Sequence, residues 1–124
     1  MKLEVKNWWE QAESDLNAAK NSISTKSFDW ACFQAQQAVE KGLKSIYLKK
    51  FNVIRKVHDL SFLGEKLELP SDILDKCIKL NKVYVETRYP DAGDVIPAKK
   101  FSKEDAAAFV NLAEEILSWL KKKL

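Results

Sequence analysis

The chain has 124 residues, of which 46% are hydrophobic and 31% are charged, a composition that predicts one soluble globular domain over residues 1–124. No apolar run approaches the roughly 20 residues of a membrane span, and the start of the chain does not resemble a secretory signal. The net charge of +3 is too small to indicate nucleic-acid binding by itself. Cys32 and Cys77 fall in predicted helices, as expected of reduced, buried cysteines in a cytoplasmic protein. Two thiols and one histidine are too few for a zinc site with four cysteine or histidine ligands.

The first predicted helix covers about Val5–Ile23, because its apolar residues follow the spacing of three and four that an amphipathic helix requires. The central helix covers Phe28–Phe51, and either Ser27 or Asp29 is expected to cap its N-terminus. Small residues recur along one of its faces, at Ala31, Ala35, Ala38 and Gly42. A second face mixes aromatic and polar side chains, at Trp30, Phe33, Gln37, Glu40, Lys44, Tyr47 and Phe51. We therefore expect this helix to be covered on two sides, by the chain's own elements or by another subunit.

Three further helices are predicted in the second half of the chain. A short one follows Asp59 as N-cap, and its leucines dock on the end of the bundle. The next covers about Ser71–Arg88 and ends before Pro90, since the residue before a proline disfavours helical geometry. The last begins at a capping-box pattern of Ser102 and Asp105. Four long helices and one short helix indicate an all-α fold, an up-and-down four-helix bundle with one additional short helix.

Candidate phosphate-binding residues lie on two of these helices. Cys77, Asn81, Tyr84 and Arg88 follow one another at steps of four, three and four, so that a polar file ends in a guanidinium able to bind phosphate through two hydrogen bonds. Basic residues also concentrate late in the central helix and just after it, at Lys41, Lys44, Lys49, Lys50, Arg55 and Lys56. Both sets have structural explanations as well: lysines are often merely solvated, Glu40 and Lys44 are spaced as a helix ion pair, and Arg88 has Asp91 and Asp94 nearby in sequence.

Three separated segments together resemble the HEPN domain, whose name stands for higher eukaryotes and prokaryotes nucleotide-binding. They are Ala35-Gln36-Gln37-Ala38-Val39-Glu40-Lys41 with Leu43-Lys44, then His58-Asp59-Leu60, then Leu80-Asn81, Tyr84 and Thr87-Arg88-Tyr89-Pro90-Asp91. The resemblance covers nearly the whole chain. It implies a helical bundle that forms dimers, is often encoded beside a minimal nucleotidyltransferase in modules like toxin–antitoxin pairs, and acts in nucleotide or RNA chemistry.

Many members of that family are metal-independent ribonucleases with an arginine followed, after four to six residues, by a histidine. Arg88 resembles the arginine, but Gly93, Asp94 and Val95 occupy the histidine positions, and the one histidine, His58, lies in a different loop. We therefore expect a homodimer that binds nucleotide or RNA phosphate, without metal or cofactor, with a separately encoded minimal nucleotidyltransferase as partner. The predicted binding residues are Arg88, Tyr84, Asn81, Lys44, Lys41, Tyr89 and Asp91. Two alternatives stay open: a ribonuclease toxin that uses His58, and a purely structural dimerisation module.

Overall fold

The protein is described by a computed structural model that covers residues 2–90 and 94–124. Over these ranges it forms helices and no strand, so the predicted all-α class is confirmed. The helices are α1 (Leu3–Ser24), α2 (Phe28–Phe51), α3 (Leu60–Lys66), α4 (Ser71–Asn81), α5 (Val83–Arg88), α6 (Pro97–Lys100) and α7 (Lys103–Lys121). In the described part of the chain, no helix combines the length and the apolar character needed to cross a membrane.

Helix α2 is the centre of the bundle and packs against all the other helices. Its stripe of small residues is buried, which allows α1 and α7 to approach its backbone closely. A Cβ added at Gly42 would lie only 2.5 Å from Leu117 Cδ2 of α7 and 3.5 Å from Trp9 Cζ3 of α1. A side chain at Gly42 would therefore have to displace the side chain of Leu117, whereas its Cβ would be in ordinary contact with the ring of Trp9.

The second face of α2 is also covered along most of its length. Glu40, Lys44 and Tyr47 are buried, whereas Trp30 and Phe51, near the two ends of the helix, are 58% and 42% exposed. The expectation that α2 is covered on two sides is thus confirmed for its middle turns. A buried carboxylate and a buried ammonium each require a partner of opposite charge or a hydrogen-bonding group. The fold must therefore supply such partners for Glu40 and Lys44.

The predicted capping residues occupy their predicted places. Asp59 is the N-cap of α3 and accepts hydrogen bonds from the backbone N–H groups of Ser61, at 3.0 Å, and Phe62, at 3.3 Å. Ser102 and Asp105 form a reciprocal capping box at the start of α7. Ser27 is the residue before α2, although its side chain makes no capping hydrogen bond.

The helix predicted over Ser71–Arg88 is wrong as one continuous element, because the chain forms α4 and α5 with Lys82 between them. Two local features favour this division. The side chain of Asn81 is engaged by the start of α3, and β-branched Val83 and Val85 have low helix propensity. The short α6 was not predicted; it begins with Pro97, whose fixed φ suits the first position of a helix.

Candidate functional site

His58 lies in the loop before α3 and is held against the middle of α2 by a buried carboxylate. Its Nδ1 is 3.0 Å from Glu40 Oε1 and 3.2 Å from Glu40 Oε2. Glu40 is only 3% exposed, whereas the side chain of His58 is 57% exposed. Since a carboxylate can only accept, Nδ1 carries the proton, and Nε2 on the other side of the ring is the nitrogen that can exchange one with a ligand.

Lys44 completes a charged chain beneath His58. Its Nζ donates to Glu40 Oε2 at 3.0 Å, which confirms the predicted ion pair one helical turn apart. The ammonium also lies 5.7 Å from the centre of the Trp8 ring, and Lys44 is 7% exposed. Its position therefore supports Glu40 from inside the bundle instead of presenting a cation to solvent.

The backbone of the His58 loop is fixed from two sides. Gln36 of α2, which is fully buried, donates from Nε2 to the carbonyl oxygen of His58 at 3.4 Å. Asn81 of α4 accepts from the N–H of Leu60 at 2.8 Å and donates to Asp59 Oδ1 at 3.1 Å. Asn81 thus fastens the loop to α4, and its amide is already occupied by protein groups.

Asp59 is stabilised as a carboxylate by the same contacts. Its pKa is lowered from the usual value, first by the hydroxyl of Ser61, which donates to it at 2.6 Å, and further by the backbone N–H groups of Phe62 and Ser61 and by Asn81. Its partial burial opposes this shift. The ionised N-cap therefore persists well below neutral pH and keeps the loop that carries His58 in place.

Tyr84 and Arg88, from α5, complete the site on the exposed side of His58. The rings of His58 and Tyr84 are stacked, with centroids 4.9 Å apart and an interplanar angle of 18°. The guanidinium carbon of Arg88 lies 4.8 Å from the centre of the Tyr84 ring and 5.5 Å from that of Tyr89, and its Nη1 donates to the Tyr84 hydroxyl. An imidazole and a guanidinium are thereby arranged around one phenol. We call Glu40, His58, Tyr84 and Arg88 the His58 cluster.

The predicted binding residues divide into those near this cluster and those elsewhere. Arg88, Tyr84 and Tyr89 belong to or adjoin it, Asn81 supports it, and Lys44 lies buried behind it. Lys41 is not brought to it, because its ammonium pairs with Asp15 of α1. Asp91, like Gly93, lies outside the described residues.

The remaining carboxylates and thiols do not add reactive groups to the site. Over residues 2–90 and 94–124, no cluster of three or more histidine, cysteine, aspartate or glutamate side chains could hold a metal ion. Glu86, one of the acidic residues near Arg88 in sequence, lies 3.6 Å from Lys100 of α6. Burial raises the pKa of Cys32 and of Cys77 to about 12, so both thiols stay protonated and unreactive at neutral pH.

The sequence prediction missed the roles of Glu40 and Gln36 in fixing His58. The i, i+4 spacing on α2 accounted for Glu40 through its ion pair with Lys44. It gave no reason to expect a contact between Glu40 and His58, a loop residue 18 positions later. The available signal was the placement of three polar residues, Gln37, Glu40 and Lys44, in the middle of a helix face that was predicted to be covered. Such residues need partners inside the fold, and a nearby histidine is a suitable one.

The described residues form an all-α fold in which an exposed imidazole and an exposed guanidinium lie against the same phenol ring. The chain belongs to the HEPN family: the HEPN domain matches it over residues 5–124. The resemblance in the three sequence segments is thereby confirmed.

Solved structures and a curated relative agree with this assignment. The crystal structure of TT1696 from Thermus thermophilus is 32% identical, with a TM-score of 0.92 over 99% of this chain and 100% of that one. That of ST0689, an archaeal HEPN homologue, is 35% identical, with a TM-score of 0.82 over 98% of each chain. A Methanocaldococcus jannaschii protein named "Putative toxin MJ1304" is 25% identical over 90% of this chain and 82% of that protein.

Proposed function

We propose that this HEPN domain binds RNA, or a nucleotide, through a phosphate group at the His58 cluster. The observation that carries this proposal is the exposed guanidinium of Arg88 on the same phenol ring as His58. Within residues 2–90 and 94–124 no carboxylate pairs with Arg88. A guanidinium in this position can donate two hydrogen bonds to a phosphate, and the neighbouring Tyr89, which is 46% exposed, can stack on a base.

Binding is tested by fluorescence anisotropy with a short labelled single-stranded oligoribonucleotide, for the wild type and for Arg88→Ala. We expect Arg88→Ala to weaken binding by about 10- to 100-fold, the effect of losing a charge-assisted bidentate contact. Arg55→Ala is the matched control for loss of one positive charge, because Arg55 is also exposed and its guanidinium carbon also lies against an aromatic ring, 5.1 Å from the centre of Phe62. Equal losses for the two variants would show a general effect of charge and would remove the site assignment.

A second candidate function is metal-independent cleavage of RNA by His58. It is favoured by the contact between His58 Nδ1 and the buried Glu40, since a carboxylate that orients an imidazole leaves Nε2 as a general base. Nε2 takes the proton of the ribose 2′-hydroxyl while the 2′-oxygen attacks phosphorus. The bond to the 5′-oxygen then breaks, that oxygen takes a proton from solvent, and a 2′,3′-cyclic phosphate remains. Arg88 neutralises the charge on the phosphoryl oxygens.

Cleavage is tested with RNA and chelator, comparing the wild type with His58→Ala purified in the same way. We expect the variant to lose about 10²- to 10⁴-fold in rate, the usual contribution of a general base. An RNA with a 2′-deoxy residue at the cleaved position should resist cleavage, because it lacks the nucleophile. If wild type and His58→Ala cleave equally, the activity is not that of His58, and phosphate binding alone remains.

The assembly proposed for this domain is a homodimer with a toxin-like role. The likeness to the M. jannaschii protein, which is named as a toxin, supports the role, and Trp30 and Val85, 58% and 52% exposed, supply apolar surface for a second copy. Sedimentation of the wild type and of Trp30→Glu tests the dimer.

The toxin–antitoxin-like module is tested by expressing the protein in a bacterial host. Growth arrest that a co-expressed minimal nucleotidyltransferase relieves would support the module and a cytoplasmic site of action. A monomer that binds neither RNA nor nucleotide would contradict the dimer and binding proposals alike.

A further inference from the structure

A cavity lies away from the His58 cluster, where the last turns of α2 and α7 meet the connection between α3 and α4. Its volume is about 520 Å³, and we call it the basal pocket. Its apolar lining is formed by Ile46, Leu67, Leu69, Pro70, Trp119 and Leu120. Its polar lining is formed by Lys49, Lys50, Glu68 and Lys123. A cavity of this size is within the range of about 300–1,000 Å³ that is typical of small-molecule sites.

The basal pocket and the His58 cluster use different faces of α2. Ile46 follows Glu40 by six residues, which is about 240° around the helix and about 9 Å along its axis. Glu40 reaches the His58 loop, whereas Ile46 faces the cavity beside α7. A molecule in the basal pocket therefore would not occupy the space where a phosphate reaches Arg88.

The charges around the basal pocket are unbalanced. Three lysines and one glutamate line it, which leaves an excess of two positive charges. Lys49 donates to the carbonyl oxygen of Lys123 at 3.1 Å, and the ammonium of Lys123 lies 5.1 Å from the centre of the Trp119 ring. Among residues 2–90 and 94–124, no carboxylate forms an ion pair with these lysines, although lysines elsewhere on the surface, such as Lys20 and Lys76, have such partners.

We propose that the basal pocket binds a small amphiphilic anion, an apolar body that ends in a carboxylate or phosphate group. The apolar body lies on Ile46, Leu69 and Trp119, where it removes hydrophobic surface from water. The anionic group lies at the rim beside Lys49 and Lys123, where it supplies the negative charge that the lining lacks. This ligand site is independent of the phosphate site at Arg88.

The proposal is tested by NMR titration of the ¹⁵N-labelled full chain with decanoate, decyl phosphate and the uncharged decanol. We expect both anions to shift the indole N–H signal of Trp119 and the backbone amides around the pocket. Decanol should bind at least about tenfold more weakly, because it lacks the charge that the lysines attract. A stronger effect of decanoate or of decyl phosphate identifies which anionic group the pocket prefers.

Variants on the two sites separate the proposals. Lys49→Ala combined with Lys123→Ala should weaken anion binding by about tenfold, the sum of two partly exposed charge contacts. Arg88→Ala should leave it unchanged, and decanoate should not displace RNA. Equal affinity for decanoate and decanol would overturn the anion preference. Absence of shifts at Trp119 on adding any of the three probes would overturn the site.

Discussion

Breaking the buried charge pair beneath His58 should strongly destabilise the fold, and the two halves of the pair should not be equivalent. In Glu40→Gln, Lys44 keeps its charge at 7% exposure, with the Trp8 ring as the remaining neighbour described for its ammonium. In Lys44→Met, Glu40 still has the Nδ1 of His58 as a hydrogen-bond partner at 3.0 Å. We therefore expect Glu40→Gln to be the more damaging change.

The magnitude follows from the cost of an uncompensated buried charge. Removing one partner of a buried pair typically costs about 3–5 kcal/mol, which we expect for Glu40→Gln. Lys44→Met should cost about 1–3 kcal/mol, because Glu40 retains a partner. Since a domain of this size unfolds with about 5–15 kcal/mol, both variants should fold, and Glu40→Gln should melt roughly 12–20 °C lower at about 4 °C per kcal/mol.

A double-mutant cycle in urea measures the coupling between the two side chains. The variant with both Glu40→Gln and Lys44→Met should be more stable than the sum of the single changes predicts, by at least about 2 kcal/mol. His58→Ala is the control, because it removes the exposed partner of Glu40 and leaves the buried Glu40–Lys44 pair intact. It should lower the free energy of unfolding by less than about 1.5 kcal/mol. Additive single changes, or a Glu40→Gln protein as stable as the wild type, would refute the view that these charges are buried and coupled.

Three further changes test the supports of the site and the fold. Asn81→Ala should cost about 1–2 kcal/mol and speed amide exchange at the start of α3, and unchanged exchange there would contradict its anchoring role. Ser102→Ala should lower the melting temperature by the equivalent of about 1 kcal/mol through loss of the capping box, whereas no change would mean that the box contributes nothing. Burial raises the pKa of Cys32 and of Cys77 from 9.0 to about 12, so above about pH 9 the folded state keeps protons that the unfolded state releases. The free energy of unfolding should therefore fall as pH rises above about 9, by up to about 1.4 kcal/mol per pH unit for each thiol. Urea unfolding of Cys32→Ala with Cys77→Ala should show a flatter alkaline profile, and an identical slope would exclude the thiols as its cause.

Local patterns in the sequence determined most of the helical architecture. Apolar residues at helical spacing defined α1, α2 and α7, because periodicity records which face of a helix is buried. The N-caps at Asp59 and Ser102 were also readable, since a capping side chain binds backbone groups within its own first turn. The division between α4 and α5 was not, because it depends on what the side chain of Asn81 meets in another part of the chain.

The candidate site was decided by tertiary contacts. The sequence placed Tyr84 and Arg88 on one helix face and singled out Glu40 and His58 separately, but only the packing of the α2–α3 loop on α2 brings His58 between Glu40 and Tyr84. The packing of α1 on α2 brings Asp15 to Lys41 and the Trp8 ring to the buried ammonium of Lys44. Helical spacing fixes which residues share a face of one helix, whereas the contacts of a loop residue depend on how the chain closes in three dimensions.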